Sequence, residues 1–256
     1  MKIGFVGTGK IASAVIEAIC TSELKDYEIF VSPRNEIKSK KLENQFSRVK
    51  RSISNQDVLD NSEIVFIALK PDIYEHVLSG LSFRKEQLIV SLIPFSTHSN
   101  LLRLVAPAKY VTRATPLPTV VNHICPIQVY NSNPVVNKIL ECIGQVLDVK
   151  TEEQLHTIWT LTCLISPYYD LMSKLSNWAV SNSVDKNLAD KYVADMFNSL
   201  ALAASKSNNP DFDMLSSHAA TPGGLNEWTA KEIESKGANA EYTKAADYIL
   251  RKFQKD

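Results

Sequence analysis

The chain has little glycine, eight residues among 256, and its single adjacent pair falls in "HAATPGGLNEW", His218 to Trp228. So sparse a supply excludes collagen-like repeats and Gly-rich linkers, and it asks what the backbone needs at the few glycines present. Cysteine is also thin: Cys20, Cys125, Cys142 and Cys163 are scattered, with no CxxC pair and no nearby histidine at a metal-ligand spacing. That excludes a disulfide scaffold and a locally encoded zinc site, and the four thiols read as small apolar residues in a reducing compartment. His76, His98, His123, His156 and His218 lie far apart and form no ligand motif, so no metal is expected. No G-x-S-x-G elbow occurs, which removes support for a Ser–His–Asp hydrolase.

Neither sign of charge prevails: Lys plus Arg number 28, Asp plus Glu 28. A balanced chain has no long-range field to recruit nucleic acid or an anionic membrane. Long apolar runs are missing too; "IVFIAL" is far short of the roughly 20 residues that span a bilayer. The opening "MKIGFVGTGK" runs straight into a strand pattern and has no signal-peptide character. The expectation is a cytoplasmic protein with neither nucleic acid nor membrane as partner. Apolar residues at 45% and charged residues at 22% suit an ordinary globular chain.

What is present begins with alternation. "KIGFV", "EIFV", "EIVFIAL", "QLIVSLI", "KYVTRA" and "CPIQVY" are short, Ile- and Val-rich runs of strand length, separated by longer helical patterns such as "KIASAVIEAICTS". Such alternation predicts right-handed βαβ units and a mainly parallel, doubly wound α/β sheet of Rossmann type. After "GQVLDV" strand-like runs stop, and helical patterns fill Thr151 to Leu164, Pro167 to Ser183 and Asp185 to Ser207. The final "AEYTKAADYILRKF" puts Tyr242, Ala245, Ala246, Ile249 and Phe253 on one stripe. Two domains are therefore expected, a dinucleotide-binding α/β domain over 1–150 and an all-α domain over 151–256. The helical half is apolar on more than one face, as in "LHTIWTLTCLISPYY", which predicts burial against a second subunit.

"GFVGTGKIASA" sets Gly7, Gly9 and Ala12 in a G-x-G-x-x-A pattern directly after the first strand and at the start of a helix. In that context Gly7 permits a tight turn, Gly9 lets a pyrophosphate approach the backbone, and Ala12 packs helix on strand. The unpaired N–H groups of the first helical turn then face the phosphates. An NAD site usually has an acidic residue at the end of the second strand, about 20 residues on. Here that strand leads into "SPRN", so Ser32, Arg34 and Asn35 offer donors where a 2′-phosphate would lie, and NADP(H) is predicted over NAD(H). "ALKPDIYEHV" brings Lys70 and Pro71 to the carboxyl edge of the sheet, where Lys70 either touches cofactor or caps the edge.

"GFVGTGKIASAVIEAI", "IALKP", "RATPLP", "EEQLHTIWTL" and "TPGGLNEW", in this order and at these intervals, together resemble the pyrroline-5-carboxylate reductase family. The resemblance implies reduction of a cyclic imine to proline with NAD(P)H, and a Rossmann domain followed by a helical domain that forms an intertwined homodimer, or a higher oligomer. It also implies that Gly7, Gly9, Lys10, Ile11 and Ala12 form the phosphate-binding turn, with Ser32, Arg34 and Asn35 at the 2′-phosphate. Ala68, Lys70 and Pro71 would border the cofactor, as would Thr115 and Pro116, which match the Met-Pro of the family's M-P-N segment. Thr221, Pro222, Gly223 and Gly224 match its Ser-Pro-Gly-Gly.

The glycine pair then has a physical reading. Thr221 is expected as N-cap and Pro222 as first helical residue, leaving bare amides at Gly223 and Gly224 to dock a substrate carboxylate. Ser166-Pro167 is expected to make a second helix start of the same type. The chain departs from the family at substrate-facing positions: Leu225 and Asn226 replace two threonines, Leu117 replaces the asparagine of M-P-N, and Ile165-Ser166 replaces Ser-Gly. Facing the pocket, Leu117, Ile165 and Leu225 would make it more apolar. Asn226 is the one candidate for handling the substrate nitrogen, and it is a poor acid. Two other classes remain open: a non-catalytic NADP-binding sensor on the same fold, and a β-hydroxyacid dehydrogenase using Lys174, whose helix lacks the glycine that family places before the lysine.

Overall fold

The computed structural model describes residues 1–207 and 209–254, and divides the chain into two units: Met1–Trp159 with Lys252–Asp256, and Thr160–Arg251. The first unit starts with β1 (Lys2–Val6), α1 (Lys10–Thr21), β2 (Glu28–Val31) and α2 (Glu36–Gln45). It continues with β3 (Val49–Arg51), α3 (Asn55–Asp60), β4 (Ile64–Ile67) and α4 (Tyr74–Ser79). Then come β5 (Leu88–Ser91), α5 (His98–Leu104), β6 (Tyr110–Thr115), β7 (Cys125–Tyr130), α6 (Pro134–Glu141) and β8 (Gly144–Val149). The eight strands form one sheet in the order β3-β2-β1-β4-β5-β6-β7-β8, parallel at every pairing except β6 with β7.

β4 is apolar at every position, and β1 at every position but Lys2, because helices cover both faces. On one face α1 and α6 bury Val15, Ile16, Ile19, Ile139 and Leu140; on the other, α3, α4 and α5 bury Val58, Leu59, Leu78 and Leu101. Phe5 and Phe66 stack between β1 and β4, with ring centroids 4.7 Å apart. Each fully buried side chain of this size contributes on the order of 2 kcal/mol. The order reverses beside β1, flanked by β2 on one side and β4 on the other, so the crevice beyond their carboxyl ends is the switch point where a ligand binds. β3 carries the sequence "VKR", too short and polar to read as a strand in isolation; pairing with β2 makes it one.

α7 (Glu152–Leu161) leaves the sheet and runs through a short 3-10 turn into α8 (Ile165–Ser181), followed by α9 (Lys186–Ser205), α10 (Phe212–Ala219), α11 (Leu225–Ser235) and α12 (Ala238–Phe253). Ser166 does not cap α8: the helix starts one residue earlier, and Pro167 sits third in it, where its missing N–H is one the helix would leave unpaired anyway. In the helical unit α8 and α9 pack through Tyr168 on Phe197, edge to face at 5.6 Å, and through Ser176, whose hydroxyl donates to Asp190 at 2.5 Å. Apart from Thr160, Ser176, Ala189 and Val193, the described residues of this unit are not buried. Among the described residues no helix is long and apolar enough to cross a membrane.

Candidate functional site

The Gly7–Ala12 turn has the geometry its sequence predicts. Gly7 adopts φ +100°, and a Cβ there would lie 2.5 Å from the Ala68 carbonyl oxygen, so glycine is required for β1 and the end of β4 to meet. Gly9 is the opposite case: a Cβ would meet no protein atom within 4 Å. Gly9 is the N-cap of α1, no side chain caps that helix, and its first turn contains no acidic residue. The open space above Gly9 is therefore faced by free amides and the positive end of α1. Two hydroxyls at this turn, Thr8 Oγ1 and Ser13 Oγ, are buried without a hydrogen-bond partner. Neither drew notice in the sequence, where Thr and Ser carry no spacing signal; an unsatisfied hydroxyl appears only in three dimensions.

Beyond β2, Ser32 is buried and its oxygen accepts from the Gly7 amide at 2.9 Å, with Asn55 Oδ1 2.7 Å away. Ser32 thus ties the phosphate turn to the start of α3, and its bond leaves the Asn55 amide group as the free donor at this edge. Asn35 caps α2, its Oδ1 accepting from the Lys38 amide at 3.3 Å. Arg34 is exposed and, among the described residues, makes no ion pair. Of the loop after β4, the Lys70 carbonyl accepts from the amides of Ile73 and Tyr74, while the Lys70 side chain and Pro71 are exposed at the sheet edge. Pro71 also borders a cavity of about 670 Å³ shared with Phe95, Ser96 and Asn100.

At the end of β6, Thr115 is buried and its hydroxyl donates to Gln128; Pro116 is buried beside it. Leu117 packs against the core of the sheet and its amide donates to Cys125 Sγ at 3.2 Å, so it adds little apolar surface to a pocket. Arg113, two residues earlier, is fully buried. Its Nη1 donates to Glu152 Oε1 at 2.5 Å and to His156 Nε2 at 2.8 Å, and its Nη2 to the Ile93 carbonyl at 3.4 Å. Arginine has no acceptor, so His156 must accept through Nε2 and carry its proton on Nδ1. Burial, then the Arg113 charge, holds the His156 pKa below its ordinary value. The imidazole stacks on Phe253 at 4.9 Å, and Phe253 also meets Phe95 at 4.5 Å.

In the helical unit the Thr221–Gly224 turn differs from expectation in two ways. Gly224, not Thr221, is the N-cap of α11, and Thr221 and Pro222 lie outside the helix. The amides are not bare: Gly224 N donates to the Thr221 carbonyl at 2.8 Å and Gly223 N to Glu227 Oε2 at 2.7 Å. Glu227 stands at the third helical position, where a carboxylate reaches back over the helix start. Lys231, then the Gly223 amide, holds its carboxyl below the ordinary carboxylate range. Asn226 donates through Nδ2 to the Ala219 carbonyl at 3.0 Å, leaving its Oδ1 as the free group. Leu225 is 76% exposed; Ser166 is exposed and Ile165 half-buried. The helix stops, as expected, at Lys236 before Gly237, whose φ is +68°.

Among the described residues no cluster of His, Cys, Asp or Glu could hold a metal ion. Burial pushes the Cys20 thiol up to about 11 and raises Cys125 as well, so neither is a thiolate nucleophile.

Comparison with known proteins agrees with the fold. A family model described as an NADP oxidoreductase, coenzyme F420-dependent, matches residues 2–94. The pyrroline-5-carboxylate reductase of Escherichia coli K12 is 26% identical, covering 99% of this chain and 97% of its own. Pyrroline-5-carboxylate reductase 3 of Danio rerio is 33% identical over 45% of this chain and 41% of its own. Among solved structures, the 1-pyrroline-5-carboxylate reductase of Streptococcus pyogenes superposes with a TM-score of 0.86 at 23% identity, over 99% of this chain and 98% of that one. The Plasmodium falciparum pyrroline carboxylate reductase, solved with NADP bound, superposes at 0.84 with 19% identity, over 99% and 97%. Over its whole length the chain is similar to pyrroline-5-carboxylate reductases, and it shares their fold.

Proposed function

We propose that the protein is an NADPH-dependent reductase of a small cyclic imine carboxylate, 1-pyrroline-5-carboxylate, which it converts to proline. The observation that carries this reading is the turn at Gly9, open above the α1 N-terminus and flanked by two unsatisfied buried hydroxyls. Those groups fit a dinucleotide pyrophosphate: Gly9, Lys10, Ile11 and Ala12 present amides, and Thr8 and Ser13 are donors in want of an acceptor. Arg34, exposed and unpaired after β2, supports NADPH over NADH. Lys70, Pro71 and the end of β6 border the nicotinamide half in this reading, with Thr115 and Pro116 shaping the edge rather than bonding to it.

When bound, NADPH would supply a hydride to the carbon of the C=N bond, that bond's electron pair moving to nitrogen as its lone pair, and the neutral amine so formed would take its further proton from solvent. The chain's own share is binding and orientation, since an iminium is electrophilic before the enzyme acts. The Thr221–Gly224 turn holds the substrate carboxylate, which replaces Glu227 at the Gly223 amide while Lys231 keeps Glu227 as counter-ion. Asn226 Oδ1 accepts the iminium N–H; it orients the ring and transfers no proton.

The helical unit serves as the dimerisation element. Trp178, Tyr192 and Phe212 are 67%, 67% and 68% exposed, on helices that bury almost nothing of their own. Such a surface supports a homodimer. The free cysteines support a cytoplasmic setting. The test is a panel of 1-pyrroline-5-carboxylate, 1-pyrroline-2-carboxylate and piperideine carboxylates with NADPH. Turnover of the first above the others is expected. NADPH binding without turnover of any would favour a sensor and overturn the reading.

A further inference from the structure

Arg51 closes β3 in register with Val31, the last residue of β2, so it stands beside the chain as it enters Ser32, Pro33 and Arg34. Its guanidinium is half-buried against that loop. Nε donates to Ser39 Oγ at 3.1 Å and Nη2 to the Pro33 carbonyl at 3.4 Å, and among the described residues Nη1 has no hydrogen-bond partner. Among the described residues no carboxylate lies within ion-pair distance of it. Glu36, at the start of α2, is paired with Lys40 at 2.7 Å and feels Arg51 only at longer range, and Glu43 accepts from the Arg51 backbone amide at 2.8 Å.

Two other arginines that bond back onto the sheet unit differ from Arg51: fully buried Arg113 has an anion, and Arg84 is exposed. Arg113 meets the Glu152 carboxylate at 2.5 Å, and Arg84 donates to the Leu59 and Ser62 carbonyls at 2.7 and 2.6 Å. The Arg51 guanidinium therefore has neutral hydrogen-bond acceptors and only a longer-range attraction to Glu36, with no anion in direct contact. A phosphate dianion over the Ser32–Asn35 loop would supply that contact, because the planar fork can present two parallel N–H donors to its oxygens. Arg34, on the outer side of Pro33, is a cation in open solvent, where screening weakens it.

We propose that Arg51 is a second anchor for the cofactor's 2′-phosphate and contributes more to the preference for NADPH over NADH than Arg34 does. This rests on the NADPH reading above. If Arg51 were only a strut for the loop, its loss would weaken both cofactors alike.

The experiment measures dissociation constants of NADPH, NADH, 2′,5′-ADP and 5′-AMP by calorimetry for the wild type, Arg51→Leu, Arg51→Lys and Arg34→Ala. The expected result is that Arg51→Leu weakens NADPH and 2′,5′-ADP by about tenfold or more, leaving NADH and 5′-AMP unchanged. Arg51→Lys, which keeps the charge but loses the fork, should lose part of the same preference, and it carries the test alone if the leucine variant does not fold. Arg34→Ala should lose less than Arg51→Leu. Equal weakening of NADPH and NADH, or an NADPH affinity untouched by both Arg51 variants, overturns the proposal and leaves the NADPH reading standing. A wild type that binds both cofactors equally overturns the two together.

Discussion

Gly7 and Gly9 differ in what surrounds them, and so should their variants. Gly7→Val forces a side chain into φ +100° and onto the Ala68 carbonyl, so it should cost about 2 kcal/mol or more of stability, read from urea denaturation. Gly9→Val points into open space; it should leave stability within about 1 kcal/mol of wild type yet weaken NADPH binding about tenfold or more. Equal stability losses at the two sites would contradict the assignment of a packing role to one and a ligand role to the other. The G-x-G-x-x-A turn was legible because its chemistry is local: strand, tight turn and helix follow one another within a dozen residues. Ser32 was only half legible. Its position after β2 was plain, but that its hydroxyl turns inward to the Gly7 amide depends on residues 25 apart in sequence. Thr8, Ser13, Asn55 and Arg51 were invisible for the same reason, since each matters through what it faces or fails to face.

At the scale of elements, the junction between β6 and α7 is a buried charge network. Glu152→Ala would leave the guanidinium of fully buried Arg113 without its anion, and should cost about 3 kcal/mol. His156 adds a pH dependence of defined sign. Its folded-state pKa is depressed, so the unfolded chain, titrating near 6.5, takes up the proton first. The His156 contribution is thus full above that pH and declines as pH falls toward the folded value. Urea midpoints at about pH 7.5 and about pH 5.5 should therefore differ more for wild type than for His156→Gln, and equal differences would contradict the neutral, accepting imidazole.

The start of α11 carries a further expectation. Gly224→Val sets a side chain about 2.9 Å from the Thr221 oxygens, so it should raise KM for the imine with NADPH affinity unchanged. An unaltered KM would remove this turn from the substrate site. The helix is capped three residues later than its composition predicts: Thr-Pro suits an N-cap and first position, but Gly224 takes the cap because the turn closes on the Thr221 carbonyl. The inner strands β1, β2, β4 and β5 were legible because buried parallel strands are nearly continuous apolar runs. β3 was not, because an edge strand of three polar-flanked residues exists only through its neighbour.

For the whole molecule, the composition change after "GQVLDV" already announced a helical half with too much apolar surface. The structure shows how little of it the chain covers by itself. Sedimentation should return twice the 28.6 kDa of the chain, and Trp178→Glu or Tyr192→Glu should shift the mass toward one chain. A monomeric wild type at micromolar concentration would contradict a dimerisation role for these helices. The central claim is tested most directly by counting products. With NADPH and 1-pyrroline-5-carboxylate, the account predicts one proline formed for each NADPH oxidised, saturable in imine and absent without it. NADPH bound tightly but left unoxidised, with no proline made, would contradict it.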